Sequence, residues 1–256
     1  MTPVTIAVAG KGGTGKTTFC GMLVDYLSVE KKQHILAVDA DPNSNLNEVL
    51  GVDVESTLGE IRESMLDRGG SEVPIPAGMT KNEYMEFMFG EALIEGDEYD
   101  LLVMGRTQGT GCYCYVNGVL KTQIDRYAKN YGYIVVDNEA GLEHLSRGTL
   151  PRIDILILIS DSSRRGIQAV GRIAKMVDEL KLNPKIMKLI VNRAPDGQID
   201  KGIVEEIEAQ GLDLLGVLPQ DEMVYQFDCE GKPSAKVPDD SPIKIAMKEI
   251  FKNLEL

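Results

Sequence analysis

The stretch of sequence that decides the fold is Gly10-Lys11-Gly12-Gly13-Thr14-Gly15-Lys16-Thr17. Its spacing, a glycine followed after four residues by Gly-Lys-Thr, is that of a phosphate-binding loop (P-loop), whose backbone N–H groups surround phosphate oxygens. In such a loop Lys16 reaches the β- and γ-phosphates, and the Thr17 hydroxyl holds Mg²⁺. The flanks fit, because Val4–Ala9 is an apolar run typical of a strand and Thr18–Leu27 has the pattern of a helix. We therefore expect nucleotide binding.

A second lysine, Lys11, lies inside the glycine turn. An ordinary P-loop needs only one lysine, so Lys11 calls for a separate explanation. We expect Lys11 to contact a nucleotide held by a partner subunit, which implies a homodimer. The alternative is a lysine that simply faces solvent.

Short apolar runs alternate with helical patterns along the whole chain of 256 residues. Fully apolar strands of this kind are typical of a mostly parallel β-sheet that helices cover on both faces, an α/β fold. We expect one domain over 1–256, with a less regular acidic insertion at 53–98. The carboxyl ends of parallel strands share one edge of a sheet, so Gly10–Thr17, Asp41, Cys112 and Asp137 are expected near one another.

Composition restricts the partners and the compartment. The net charge is −13, and residues 51–98 hold twelve acidic side chains against three basic ones. Because acidic surfaces repel nucleic acid and anionic lipid, we expect neither as a partner. Four cysteines without a disulfide framework, no signal peptide and no long apolar stretch indicate a cytoplasmic protein.

Two aspartates at the ends of predicted strands are candidates for roles in ATP hydrolysis. Asp137 ends the apolar run 134–137 and suits an indirect contact with Mg²⁺. Asp41 follows the strand at 35–38, and we expect it to orient the attacking water. The alternative for Asp41 is a cap on a helix over 43–50. Asp39 lies inside the strand end, and we expect it to be structural.

The pair Cys112-x-Cys114 is a candidate metal site. Two thiols one residue apart are poorly placed to close a site within one chain, but two chains together offer four thiolates. Such a set suits tetrahedral Zn²⁺ or square-planar Ni²⁺. The alternative is a pair of ordinary reduced cysteines at the start of a helix, which we predict over 116–130.

The motif Lys11–Thr17 resembles that of the MinD-type, deviant Walker A ATPases of the SIMIBI class. In that family the first lysine reaches the phosphates of the other subunit, which implies this role for Lys11. The segment Asp39-x-Asp41-Pro42 looks like switch I, with Asp41 as the residue that orients water. Asp137-x-x-Ala140-Gly141 looks like switch II. The elements that look like the adenine side of the family's site are Asn192, Arg193 and Pro219.

Within this class, the Cys112-x-Cys114 pair and the segment 140–148 are most similar to the CooC/AcsF family. Its members are ATPases that insert nickel into carbon monoxide dehydrogenase or acetyl-CoA synthase. The resemblance implies a homodimer that binds ATP or ADP with Mg²⁺ and holds one Ni²⁺, with Zn²⁺ as a competitor, between two Cys-x-Cys pairs. It also implies slow basal ATP hydrolysis and a nickel-iron-sulfur client enzyme.

The predicted site residues fall into three groups. The predicted catalytic residues are Lys11, Lys16 and Asp41. The predicted nucleotide-binding residues are Gly10, Gly12, Gly13, Thr14, Gly15, Lys16, Thr17, Thr18, Asp137, Asn192, Arg193 and Pro219. The predicted metal ligands are Cys112 and Cys114 for nickel and Thr17 for Mg²⁺.

Three other functions compete with nickel insertion. A nitrogenase-type iron–sulfur reductase needs a cysteine in switch II, whereas Asn138-Glu139 stands there, although an iron–sulfur carrier built on Cys112 and Cys114 stays open. A MinD/ParA-type positioning ATPase needs a basic surface or tail, and this chain is acidic. A metal-storage module with an inactive P-loop would not hydrolyse ATP.

Overall fold

The computed structural model describes residues 2–65, 74–106, 113–141 and 152–254. Eight strands form one sheet in the order β3-β4-β2-β5-β1-β6-β7-β8. All neighbouring strands run parallel except β3 and β4, which are antiparallel. The strands are β1 Val4–Gly10, β2 Ile35–Asp39, β3 Leu93–Ile94, β4 Tyr99–Val103, β5 Tyr133–Asp137, β6 Ile155–Asp161, β7 Ile186–Ala194 and β8 Leu214–Pro219.

Helices cover both faces of this sheet. They are α1 Lys16–Lys31, α2 Leu46–Leu50, α3 Leu58–Ser64, α4 Lys81–Gly90, α5 Tyr113–Tyr127, α6 Arg164–Glu179, α7 Lys201–Ala209, α8 Glu222–Cys229 and α9 Pro242–Asn253. Alternate residues of β1 face opposite ways: Ile6 packs in the cluster of α1 and α9, and Ala7 in the cluster of α6 and α7. The predicted α/β architecture is therefore confirmed. None of the helices within the described ranges is long and apolar enough to cross a membrane.

The acidic interval 53–98 is more regular than the sequence analysis predicted. Its described residues include α3, α4 and the edge strand β3. Both helices start with a capping box, in which a threonine accepts a bond from the backbone N–H of a glutamate three residues on and that carboxylate accepts one in return. The pairs are Thr57 with Glu60 and Thr80 with Glu83. This Thr-x-x-Glu pattern is visible in the sequence and was the missed signal.

The described part of helix α5 starts at Tyr113, three residues before the predicted start at Val116. Cys114 therefore belongs to the helix and not to a loop before it. Tyrosine, cysteine and valine differ little in helix propensity, so the sequence gives only a weak signal for this boundary.

The apolar spacing of the last helix, α9, predicts packing on the sheet, and the helix packs on β8 and also on α1, with Ile243, Met247 and Ile250 buried. The same contact buries an ion pair, because the Lys244 ammonium contacts the Asp25 carboxylate of α1 at 2.5 Å. Lys236 contacts the other oxygen of Asp25 at 2.8 Å. Burial raises the pKa of Asp25, but the hydrogen bonds from the two lysines outweigh it and leave the pKa below the usual 3.8.

Lys244→Met should lower the free energy of unfolding at neutral pH by about 2 kcal/mol, because Asp25 loses a buried partner and keeps only Lys236. A carboxylate with a depressed pKa stabilises the fold above its unfolded pKa, and this stabilisation is lost as the pH falls through the folded pKa. The difference between wild type and variant should therefore shrink below pH 3.8. Urea denaturation at several pH values measures it. Lys201→Met, at an exposed lysine of α7, is the matched control; an equal loss in both variants would contradict the ion-pair explanation.

Candidate functional site

The P-loop runs from Gly10 at the end of β1 to Thr17 in the first turn of α1. Gly15 has φ +87, a left-handed conformation that residues with a Cβ rarely adopt. A Cβ there would also lie 2.5 Å from the side-chain nitrogen of Asn192. At Gly10 a Cβ would lie 2.3 Å from the Ile159 carbonyl oxygen. Two of the glycines are thus required by the close approach of β6 and β7 to the loop.

The two lysines of the loop differ in their surroundings. Lys16 is buried as a residue, and its ammonium donates to the Lys11 carbonyl oxygen at 3.4 Å. The Thr14 hydroxyl donates to the same oxygen at 2.9 Å. The Lys11 side chain is exposed and forms no ion pair with the carboxylates of the described ranges. Lys16 is therefore held within its own loop, whereas Lys11 faces outward.

Asp137 ends β5 beside α1 and is buried. The Thr17 hydroxyl is close enough to its carboxylate to lower the Asp137 pKa, and the Cys20 thiol donates to Asp137 Oδ1 at 3.6 Å. Burial raises the pKa of Asp137 to about 6, although the Thr17 hydroxyl and the Lys16 charge limit the rise. A hydroxyl and a carboxylate beside the P-loop are oxygen ligands of the kind that Mg²⁺ prefers, so this donor set fits the ion. Thr17 would hold it, and Asp137 would orient Thr17.

Asp39 ends β2 next to Asp137, with which it is in register. Its two carboxylate oxygens accept hydrogen bonds from the backbone N–H groups of Asp41 (3.0 Å) and Leu46 (2.9 Å). Burial, reinforced by the negative charge of Asp137, raises the pKa of Asp39 to about 7. Asp39 thus anchors the chain after β2, in agreement with the structural role expected for it.

Asp41 forms a turn of its own at the wall of the cleft described below. Its Oδ1 atom accepts bonds from the backbone N–H of Asn43 at 2.8 Å and from the Asn43 side-chain amide at 2.9 Å. Helix α2 starts at Leu46 with Asn45 as its N-cap, so the alternative in which Asp41 caps a helix over 43–50 was wrong. The Asx turn that Asp41 favours takes up the residues that were predicted to be helical.

Asn192 and Arg193, at the end of β7, brace the P-loop from the other side. The Asn192 amide donates to the Thr14 carbonyl at 2.8 Å, and the Arg193 guanidinium donates to the Gly13 carbonyl at 3.0 Å. Both side chains thus hold the backbone of the loop. Their predicted contact with adenine, like that of Pro219 at the end of β8, stays a prediction.

A cleft of about 1010 Å³ opens on the P-loop. Gly12, Gly13, Gly15, Lys16, Thr17, Thr18 and Asp41 line it, which brings these predicted residues together. Further wall residues that the sequence analysis did not single out are Asn43, Asn45, Asn47, Glu48, Asp53, Asp228, Lys232 and Ser234. The asparagine-rich run directly after Asp41 was a usable signal for the first of these. The wall residues around Lys232 belong to no sequence motif and are distant from the P-loop in the sequence, so no local pattern predicted them.

The predicted nickel site is only partly covered by the structure. Cys112 lies outside the described residues, and Cys114 is placed as a backbone position in α5. Within the described ranges, no group of three or more histidine, cysteine or acidic side chains is arranged to hold a metal ion. Strand β4, which precedes Cys112, ends beside the Asp41 turn, since the Met104 N–H donates to the Asp39 carbonyl at 2.9 Å.

Asp137→Asn should weaken Mg²⁺ binding in the presence of ADP by about 10- to 100-fold, because Thr17 loses the carboxylate that orients it. In the wild type, the Mg²⁺-dependent part of ADP affinity should fall as the pH drops through about 6, where Asp137 takes up a proton. Calorimetric titration with and without Mg²⁺ at pH 5.5 and 7.5 measures both effects. The variant serves as the control for titration of the nucleotide, and an identical pH dependence in the two proteins would contradict the assignment.

Residues 5–234 match the family model of the CobQ/CobB/MinD/ParA nucleotide binding domain. A protein of Methanocaldococcus jannaschii named uncharacterized ATP-binding protein is 43% identical over 249 residues, 97% of each chain. The carbon monoxide dehydrogenase accessory protein CooC of Rhodospirillum rubrum is 29% identical over 234 residues, 88% of this chain and 87% of that protein.

Among solved structures, the fold is similar to that of the septum site-determining protein MinD of Pyrococcus horikoshii, which was solved in complex with Mg-ADP. The TM-score is 0.72 at 23% identity, and the match covers 100% of this chain and 96% of that one. The family match covers most of the sequence. It agrees with the structure, which has the P-loop at the end of β1 and acids at the ends of β2 and β5. The chain belongs to the CobQ/CobB/MinD/ParA family of P-loop nucleotide-binding proteins.

Proposed function

We propose that the protein is an ATP-hydrolysing homodimer that binds Ni²⁺ through the Cys112 and Cys114 pairs of two chains. It would deliver the ion to carbon monoxide dehydrogenase or acetyl-CoA synthase. The observation that supports this most is the position of strand β4, which precedes Cys112 in the sequence. The strand that precedes Cys112 ends directly beside the Asp41 turn, at the nucleotide edge of the sheet. A thiol site built from that strand would sense the nucleotide through adjacent backbone.

The likeness to CooC supports the choice of client. That relative's name describes an accessory protein of carbon monoxide dehydrogenase, and the match covers most of both chains. The Cys112-x-Cys114 spacing supports a metal shared by two chains, because soft thiolates suit Ni²⁺ as well as Zn²⁺. Nucleotide state would bias two dimer arrangements that differ in thiolate geometry, so that ATP hydrolysis releases the ion.

The exposed Lys11 supports the ATP-linked dimer. Two chains that each carry a net charge of −13, together with their nucleotides, repel one another unless cations lie between them. Lys11 stands at the outer side of the P-loop, where its ammonium can meet phosphates presented from outside. Lys16 would neutralise the phosphates of its own subunit, and Asp41 would orient water, as phosphoryl transfer requires.

The tail helix α9 argues against a positioning ATPase that binds membranes. Such a helix needs free basic residues on its polar face. Two of its lysines are engaged with acids of the fold: Lys244 contacts Asp25, and Lys248 contacts Glu30 and Asp239. The apolar face of α9 packs on the sheet and on α1. The helix is thus used in folding, which leaves nickel insertion as the better supported proposal.

Lys11→Ala should bind ATP with an affinity within about threefold of wild type, since an exposed charge contributes little within one chain. ATP-dependent dimerisation should be lost, and turnover should fall by about 100-fold or more, as when a donor to the transition state is removed. Sedimentation velocity and phosphate release measure the two effects. Lys201→Ala, at an exposed lysine of α7, should behave as wild type. A Lys11→Ala protein that still dimerises with ATP would rule out the cross-subunit role.

Cys112→Ser combined with Cys114→Ser should leave ATP binding unchanged and abolish tight Ni²⁺ binding, because serine oxygens are hard ligands that do not replace thiolates. The reduced wild type should bind about one Ni²⁺ per two chains if four thiolates hold the ion. Elemental analysis after gel filtration, with ADP and with ATP, measures the stoichiometry. Cys229→Ser, at an exposed thiol, is the matched control and should bind as wild type. Nickel retained by the double variant would place the site elsewhere.

A further inference from the structure

Arg106 contacts the turn that carries Asp41. Its guanidinium donates to the side-chain oxygen of Asn43. Asn43 in turn donates its backbone N–H and its side-chain amide to Asp41 Oδ1. Both ends of the Asn43 amide are therefore used, the oxygen by Arg106 and the nitrogen by Asp41. A continuous chain of hydrogen bonds joins an arginine from the exit of β4 to the carboxylate that we expect to orient water.

The backbone next to Arg106 is held in place on two sides. The Met104 N–H donates to the Asp39 carbonyl, and the Met104 carbonyl accepts from the Gly59 N–H in α3, both at 2.9 Å. A Cβ at Gly59 would lie 2.5 Å from the Arg106 carbonyl oxygen, so the first turn of α3 packs directly on this segment. Arg106 is therefore anchored to β2 and to the start of the acidic interval, and its side chain reaches from there to Asn43.

We infer that Arg106 is a positioning residue that couples the Asp41 turn to the exit of β4. It would act through Asn43 and not by contact with the nucleotide. Movement of the β4 exit, on which Cys112 follows after six residues, would shift Arg106 and thereby the orientation of Asp41. If a ligand at the β4 exit and the nucleotide both favour the Arg106–Asn43 contact, each strengthens the binding of the other, because coupling between two sites is reciprocal. The identity of that ligand as Ni²⁺ rests on the function proposed above.

A double-mutant cycle on ATP turnover tests the contact itself. Arg106→Ala should lower kcat by about five- to tenfold, the size expected for loss of a charge-assisted hydrogen bond that orients a catalytic group. Asn43→Ala should lower kcat at least as much, because it also removes the amide hydrogen bond to Asp41. The double variant should be within about twofold of Asn43→Ala, because Arg106 acts on Asp41 through Asn43. ATP affinity and KM should be unchanged in Arg106→Ala, because Arg106, unlike Asn43, is not among the described residues that line the cleft. Arg106→Lys, which keeps a cationic donor, should recover part of kcat.

Arg172→Ala, at an exposed arginine of α6, is the matched control and should keep the kcat of wild type. Thermal unfolding of every variant identifies a general loss of fold, which would lower kcat in proportion to the unfolded fraction. Independent effects that multiply in the double variant would overturn the positioning role. So would an Arg106→Ala protein with the kcat of wild type.

The coupling is tested by adding Ni²⁺ during turnover. Nickel should change kcat in the wild type, whereas Arg106→Ala should bind Ni²⁺ with unchanged stoichiometry and show no change in kcat. If Arg106→Ala responds to Ni²⁺ as the wild type does, the coupling through Arg106 is wrong. A wild type that binds no Ni²⁺ would overturn the proposed function, and the coupling to nickel with it. The double-mutant cycle, which contains no metal other than Mg²⁺, would still decide the role of Arg106 in positioning Asp41.

Discussion

Two buried carboxylates, Asp39 and Asp137, lie side by side at the carboxyl ends of β2 and β5, and the nucleotide edge of the sheet depends on them. They are in register on adjacent parallel strands. Burial raises both pKa values, that of Asp39 to about 7 and that of Asp137 to about 6, so each carboxylate needs partners that stabilise its charge. The hydrogen-bond partners of each acid determine which part of the site that acid positions.

The two acids have different partners because different chain segments follow their strands. Asp39 accepts two backbone N–H groups from its own continuing chain, which fixes the Asp41 turn and the start of α2. Asp137 instead faces the first turn of α1, where Thr17 and Cys20 supply a hydroxyl and a thiol. Asp39 therefore fixes the backbone after β2, while Asp137 lies beside the P-loop, where it can interact with a cation. The hydrolytic role proposed for Asp41 requires this division.

The sequence predicted the sheet and the P-loop at its edge more accurately than the short helices in the segments around them. The P-loop, the alternation of strands and helices and the two covered faces follow from local patterns, and the structure confirms the fold. Helices α3 and α4 were missed although each starts with a Thr-x-x-Glu capping box. Helix α3 is only seven residues long, and the apolar residues of α4 are not confined to one face, so periodicity gave little signal and the caps carried the information. The start of α2 was misplaced because Asp41 and Asn43 form a turn where the sequence predicted the first residues of a helix over 43–50.

What the sequence determined by itself are the features encoded within a few neighbouring residues: the phosphate-binding loop, its second lysine and the apolar strands. Their spacing along the chain is the property that the chemistry requires. Only the tertiary structure decided that Asn192 and Arg193 hold the backbone of the P-loop and that Arg106 reaches Asn43. It also decided that two lysines of α9 are engaged by Asp25 and Glu30 of α1. These contacts join residues from distant parts of the chain, and the order of strands in the sheet, which no local pattern encodes, brings them together.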